Sequence, residues 1–413
     1  MGLLNSRAFL HKIVADVRAS YWFWPGTIVA AAMILAECTV WLDANPDVLP
    51  FDLPDRITAI DPGGARDTLS TIATAVIGVA GVMFSMTLVA VSFAANNFGP
   101  RLIGNFMRDR GTQISFGLML GTFVFNVAML RAVQDTGDAA VFVPYMGLVM
   151  ALVLTLISVF TIIYYIHHVP ETINVSNITS DLGQRLGQSV RDLIEERASW
   201  NVEMASPAAG TRPIPVNLDA CGYIQQMDGS ALIEIARSHD WVIEVCNIPG
   251  DFITPHLAVM KVHAATDLTD RQLQSLRDAF ATGTSRTEAQ ATTYIADQLV
   301  EMIARALSPG FNDPFTAMNC LNWLHAGLLD ALLYRGGLLD FETQRVRIAH
   351  LDFAGLFAAG FTAAAAYTTT DRMCRQRHLT LTQDLMHHAT GENRRVIASL
   401  MHSLKSPEHE IRL

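Results

Sequence analysis

The chain has 413 residues, 51% hydrophobic and only 16% charged, against about a quarter charged in an ordinary soluble protein. Its 39 acidic and 29 basic residues leave a net charge of −10. That balance excludes a general nucleic-acid binder, whose phosphate contacts need a basic surface.

The charge deficit falls in residues 1–168, while residues 169–413 read as a globular chain. This predicts a membrane half followed by a soluble half. Crossing about 30 Å of hydrocarbon takes about 20 apolar residues in a helix. After an N-terminal tail, residues 1–20, four stretches qualify. Tyr21–Trp41 opens on the aromatic run Tyr21 to Trp24, which suits the headgroup level, and carries Glu37. It begins too far along the chain, and lacks the small-x-small site, for a cleaved signal peptide. Leu69–Ala95 is 27 residues without a charge. Thr112–Leu130 and Phe142–Ile166 are also uncharged, and the last runs into His167 and His168. A four-helix transmembrane domain over residues 21–168 follows.

Basic residues favour one side. The tail has Arg7, Lys12 and Arg18, and the loop after the second span has Arg101, Arg108 and Arg110. The first loop has only Arg56 and Arg66 among six aspartates, and the last has Arg131 beside Asp135 and Asp138. The positive-inside rule then predicts cytoplasmic termini, in keeping with five scattered cysteines and no CxxC.

In the second span, Thr71, Thr74, Gly78, Gly81, Ser85, Ser92 and Asn96 recur at steps of three, four or seven. On a helix that spacing gathers them on one face. Lipid alone gives no reason for such a face. It either packs closely on another helix, within this bundle or in a second subunit, or it borders water and lines a permeation path. Asn96 and Asn97 place amides at the inner mouth. Arg101, Arg108 and Arg110 there would form a cationic ring if subunits repeat around an axis, or serve only as positive-inside residues. No ionisable group is central in a span, so a carboxylate-driven transporter lacks its usual parts.

In the soluble half, a connecting helix continues the fourth span over residues 169–204, with Leu182, Leu186 and Val190 at helical spacing. Residues 205–265 read as a small β-rich module with strands in Ile214–Asp228, a helix at Gly229–Asp240 and two strands around Pro249–Asp251. Its "GDFITP" turn resembles the GDxV turn of small biotinyl- or lipoyl-like sandwiches. No lysine sits at the tip, so the module is read as packing, with no prosthetic group or cofactor. Residues 266–413 read as helical, with Asp267–Ala281, Arg286–Leu307, Asn319–Leu333, Ala354–Thr368 and Thr380–Lys405 as helices. Ile295, Leu299, Met302, Ile303 and Ala306 mark one buried face. The loop Ser308, Pro309, Gly310, Phe311, Asn312, Asp313 and Pro314 is the most distinctive soluble stretch. Pro309 and Gly310 end one helix, and Asn312 or Asp313 with Pro314 begins the next.

Catalytic and metal motifs are absent: there is no GxSxG, P-loop, HExxH or GxGxxG. Asp297 with Glu301, and His378, His387, His388 and His402, are read as helix-face residues rather than metal ligands. The chain is therefore expected not to be an enzyme.

Several stretches together resemble the bacterial predicted-membrane-protein family catalogued as domain of unknown function 2254. They are "LSTIATAVIGVAGVMFSMTLVAVSFAANNFGPRLIGNFMRDR", "GTFVFNVAMLRAV", "YYIHHVPETINVSNI", "PGDFITP" and "ALSPGFNDPFTAMNCL". The resemblance implies four N-terminal spans and a cytoplasmic C-terminal region, and it supplies no substrate. The combined expectation is an α-helical protein of the bacterial inner membrane, four transmembrane helices followed by a cytoplasmic α+β domain built of a small β module and a helical bundle. Its expected partners are the lipid bilayer, further copies of itself, and ions or small solutes. A channel-like permeation protein leads, and a membrane-anchored sensor or interaction protein without a conduit is the alternative.

Overall fold

The computed structural model describes residues 20–45, 60–135, 141–196, 206–287, 291–332, 337–338, 344–348 and 352–405, with Val17 and Val48. The basic residues Arg7, Lys12, Arg18 and Arg56, and Asp138, lie outside these. The chain divides into two compact units, one made of Asp16–Asn96 and Pro100–Asn174, the other chiefly of Val175–Leu413.

The first unit holds α1 (Phe23–Ala44), α2 (Pro62–Phe98), the short α3 (Ile103–Met107), α4 (Arg110–Ala132) and α5 (Tyr145–Thr172), with a small hairpin of β1 (Gln134–Asp135) and β2 (Val141–Phe142) before α5. Helices α1, α2, α4 and α5 are each long and apolar enough to cross a membrane. A candidate membrane helix stands at each of the four expected spans; α1 and α5 begin later than expected, at Phe23 and Tyr145, and all four run past the expected C-terminal ends. The 37 residues of α2 rise about 55 Å, well beyond the hydrocarbon thickness.

Helix ends are fixed by side chains. Asp109 accepts the Thr112 amide at 2.7 Å and caps α4. Asp43, in the last turn of α1, accepts the Met146 and Gly147 amides at 2.8 and 3.0 Å, and so caps α5 from a neighbouring helix. Two apolar clusters fill the bundle. One joins Ala36, Leu69, Phe125, Met129 and Leu148, the other Val76, Ala80, Met83, Met119 and Tyr165.

The predicted continuous helix through residue 170 is corrected. Helix α5 ends at Thr172, and α6 (Val175–Glu196) begins afresh. Pro170 has no N–H for the carbonyl four residues back, which weakens the last turn.

The second unit contains two sheets and a helical cluster. Strands β3 (Arg212–Val216), β4 (Gly222–Met227), β5 (Val242–Val245), β6 (Phe252–Ile253) and β7 (Met260–Ala264), with α7 (Gly229–His239), follow the predicted order. The next segment is not one helix: α8 (Asp270–Arg277) gives way to β8 (Phe280–Gly283). Beyond α9 (Thr292–Ala306) and α10 (Pro314–Ala331) come two more strands, β9 (Gly337–Leu338) and β10 (Val346–Ile348). One sheet runs β3-β7-β5-β10-β9, the other β6-β4-β8. Strand β10 pairs parallel with β5, and β8 antiparallel with β4. The β module therefore does not close at residue 265; it borrows strands from the segment expected to be helical. Consecutive β3 and β4 lie in different sheets, and Asp219 at φ 48° marks the turn between them. Ile224, Leu232, Ile243, Val262, Leu276 and Val346 share the module's core.

The helical cluster comprises α6, α9, α10, α11 (Phe353–Phe357), a π-helical segment Ala358–Thr362, α12 (Ala363–Thr368), α13 (Arg372–His388) and α14 (Gly391–Lys405). The expected faces are the buried ones: Leu182, Leu186 and Val190 on α6, and Ile295, Leu299, Met302, Ile303 and Ala306 on α9. Helix α6 lies so close to α10 that a Cβ at Gly183 would come within 2.5 Å of the Trp323 ring. The predicted Thr380–Lys405 helix is two, separated near Ala389, and its first part starts earlier, at Arg372 behind the Asp371 cap.

Candidate functional site: the outer face of the long membrane helix

Helix α2 has two opposed faces. Ala65, Leu69, Ala73, Val76, Ala80, Met83, Thr87 and Ala94 are buried. Thr71, Thr74, Gly78, Gly81, Ser85, Ser92 and Asn96 are all exposed. At about 100° per residue the two sets centre roughly 170° apart. The stripe is therefore turned away from the chain's own bundle, and packing within that bundle does not explain it. A Cβ at Gly78 or Gly81 would meet nothing within 4 Å. By contrast, a Cβ at Gly117 of α4 would run into Ile28 and Pro25 of α1. The α4 glycine serves a contact inside the chain; the α2 glycines serve none there. Large apolar side chains, Ile77, Val82, Phe84, Met86, Val89 and Phe93, flank the stripe and are also exposed.

In the last turn of α2 Asn97 is half-buried, and beyond the helix Arg101, Arg108 and Arg110 are exposed. Asp109, between two of these arginines, is held by His168, whose Nε2 lies 2.8 Å from its carboxylate. Burial raises the Asp109 carboxyl, but hydrogen bonds from Thr112 and His168 outweigh it and hold the group below its usual range.

Sequence reasoning missed how the polar groups buried inside this unit pair. The Tyr165 hydroxyl donates to the Met83 carbonyl at 2.6 Å and lies 2.6 Å from the Thr87 hydroxyl. Ser158 donates to the Thr122 hydroxyl at 3.0 Å, and Asn126 to the Thr122 carbonyl at 2.8 Å. Single threonines and tyrosines in apolar runs carry no periodic signal, so only the fold reveals their pairing. Tyr165→Phe should lower the thermal midpoint of the purified protein by an amount equivalent to about 1–2 kcal/mol, as the buried Met83 carbonyl loses one of its two side-chain donors, Thr87 being the other. An unchanged midpoint would mean that the Thr87 hydroxyl alone satisfies that carbonyl.

The Ser308–Pro314 loop is a helix junction. Ser308 Oγ donates to the Arg305 carbonyl at 2.7 Å, and the Asp313 amide to the Ala306 carbonyl at 2.7 Å. Asp313, not Asn312, is the cap of α10: it accepts the Thr316 amide at 3.1 Å, with Pro314 in the first turn. Asn312 takes φ 45°, while Pro309, Gly310, Phe311 and Phe315 are exposed. The loop gathers no titratable groups in a cleft.

Among the described residues no three of His, Cys, Asp and Glu converge as metal ligands. Asp297 is engaged by Arg286, and Glu301 lies 3.6 Å from Arg305. His378 is fully buried against Thr368, whereas His388 bonds the Asp384 carbonyl on its own helix. All five cysteines are free. Burial pushes the Cys320 thiol up strongly and, with Asp371 beside it, Cys374 to about 12, so neither supplies a thiolate nucleophile.

Fold and site together define a polytopic α-helical membrane protein with a mixed helix-and-sheet region after its spans. The profile of the family described as "Predicted membrane protein (DUF2254)" matches residues 18–384, and the chain belongs to that family. It is similar to an uncharacterized protein of Mycobacterium bovis and to one of Mycobacterium tuberculosis, each 25% identical over 301 residues. The match covers 71% of this chain and 56% of each relative, so the chain spans little more than half the length of the curated relatives it matches. No solved structure matches it.

Proposed function

We propose that the protein is a homo-oligomeric ion channel or channel-like permeation protein of the bacterial inner membrane. In this reading the α2 stripes of several copies face a common axis. Thr71, Thr74, Gly78, Gly81, Ser85, Ser92 and Asn96 line the path, and Asn97, Arg101, Arg108 and Arg110 surround its cytoplasmic mouth. The soluble unit, with both termini in the cytoplasm, assembles the copies and gates them. One observation carries the reading: the small and hydroxyl-bearing face of α2 lies opposite the face its own bundle buries. A cationic mouth would favour anions. The reading needs no catalytic group, cofactor or metal.

The second reading, an anchored sensor or interaction protein without a conduit, draws support from the Gly78/Gly81 pair. Bare glycines on an outward face let a second helix approach closely and seal the stripe in a dimer.

Reconstitution of the purified full-length chain into liposomes tests both. The channel predicts ion flux, reduced at least about tenfold by Ser85→Trp, together with cysteine cross-linking between copies through Ser85→Cys. Absence of flux at every pH, voltage and membrane tension would overturn it. Cross-linking without flux would favour the sealed dimer.

A further inference from the structure

A second face of the membrane unit has its own chemistry. On the outside of the bundle, α4 and α5 leave a groove of about 390 Å³ between Ile114 and Leu118 on one side and Ile157, Phe160, Thr161 and Tyr164 on the other. It runs about 10 Å along the helices, two turns of each. Ile157, Phe160 and Tyr164 are 40%, 62% and 50% exposed, so no side chain of this unit covers it. The two aliphatic hydroxyls bordering it are turned inward: Ser115 donates to the Gly111 carbonyl at 2.7 Å and Thr161 to the Ile157 carbonyl at 2.8 Å. With its hydroxyls spent on backbone, the lining is apolar and suits hydrocarbon rather than water or a polar solute.

One end of the groove is different. Gly111 opens the first turn of α4, and any side chain there would collide with the Tyr164 hydroxyl and the His168 ring. The glycine lets these two aromatic rings, stacked with centroids 5.0 Å apart, close the groove. Arg110 directly precedes Gly111, Arg108 lies three residues before that glycine, and both are exposed. The nearby carboxylates are engaged: Asp109 holds the Thr112 amide and His168, and Glu171 lies 3.3 Å from His167. An apolar track thus ends at a phenol, and two exposed arginines stand in the chain just before that end; guanidinium is the group type best matched to phosphate.

We infer that this groove binds an anionic phospholipid, one acyl chain lying between α4 and α5 and the phosphate resting on Arg110 and Arg108 beside Tyr164. Charge complementarity selects this occupant over a zwitterionic lipid. Basic pockets between spans at one membrane face are a recurrent means of holding such headgroups. The proposal stands apart from the permeation reading, since it concerns α4 and α5 rather than the α2 stripe.

The test uses delipidated full-length protein in detergent and native mass spectrometry. Phosphatidylglycerol, phosphatidylcholine with the same acyl chains, and glycerol phosphate are the probes. Phosphatidylglycerol should bind more tightly than phosphatidylcholine, by roughly fivefold for each arginine that contributes. Arg110→Gln, at an exposed position, should remove about fivefold of that preference and leave phosphatidylcholine binding unchanged. Ile157→Trp, at a partly exposed position on the groove wall, should fill the groove and abolish tight binding of both lipids. Glycerol phosphate should not bind measurably, because the hydrocarbon contact is lost. Equal binding of the two lipids, or a preference untouched by Arg110→Gln, would overturn the proposal. So would Ile157→Trp dissociating an oligomer without altering lipid binding, which would make the groove a contact between copies.

Discussion

Phe361→Ala is expected to destabilise the second unit by about 3–5 kcal/mol, a large share of the roughly 5–15 kcal/mol available to a domain. Phe361 is fully buried in the π-helical segment between α11 and α12. Its ring packs on Phe357 at 5.7 Å, meets the His378 imidazole edge-on at 4.8 Å and faces His325 at 6.5 Å. Phe357 in turn stacks on Phe353. Truncation removes the middle of this aromatic row, and helices α11, α12 and α13 cannot all collapse onto the space left. The four-residue spacing of Phe353, Phe357 and Phe361 is what sets successive aromatic rings along one side of the helix. Denaturant titration followed by tryptophan fluorescence would measure the loss, since Trp241 and Trp323 lie in this unit. Phe361→Leu should cost much less, because most of the volume remains. Equal effects of the two variants would contradict the packing account.

The second large effect is acid lability of the same cluster. His378 is completely buried, and its Nδ1 lies 2.8 Å from the Thr368 hydroxyl. Among the described residues its Nε2 has no hydrogen-bond partner. Burial lowers its pKa to about 3, far below the ordinary value of 6.5. The imidazole is neutral in the folded protein, whereas the unfolded chain takes up a proton near 6.5. Stability is therefore fully present above that pH and is lost as pH falls towards 3. Each pH unit in that window costs about 1.4 kcal/mol, so about 2 kcal/mol should be gone at pH 5. His325, also lowered by burial against the opposing pull of Asp384, adds in the same direction. The pair His378→Leu with Thr368→Val removes both polar partners together and should flatten most of the pH dependence between 6.5 and 4. A slope unchanged in that variant would place the acid sensitivity elsewhere.

Both effects depend on residues that carry no marking in the sequence. His378 sits among His387, His388 and His402 in a polar stretch and reads as one more exposed histidine. Only the fold shows that Thr368 and Phe361 enclose it. Asp109 and His168 are 59 residues apart along the chain, and nothing local announces that one caps α4 while gripping the other. The strand at residues 280–283 was hidden for a related reason. Asp267–Ala281 has the composition of a helix, and its end becomes a strand because β4 offers an edge to pair with. Likewise β10 acquires its role by parallel pairing with β5, about a hundred residues earlier, a contact that no local propensity encodes.

The sequence by itself determined the membrane half, because about 20 uncharged apolar residues have few other uses. It also determined the buried faces of α6 and α9, since helical periodicity and burial report the same geometry. It even displayed the rhythm of small and polar residues along α2. Which way that stripe points was decided by the tertiary structure alone. Periodicity defines a face relative to its own helix axis and says nothing of what lies beside it. Only when Val76, Ala80 and Met83 are seen packed against α4 and α5 does the opposite side, with Gly78, Gly81 and Ser85, stand revealed as the free one.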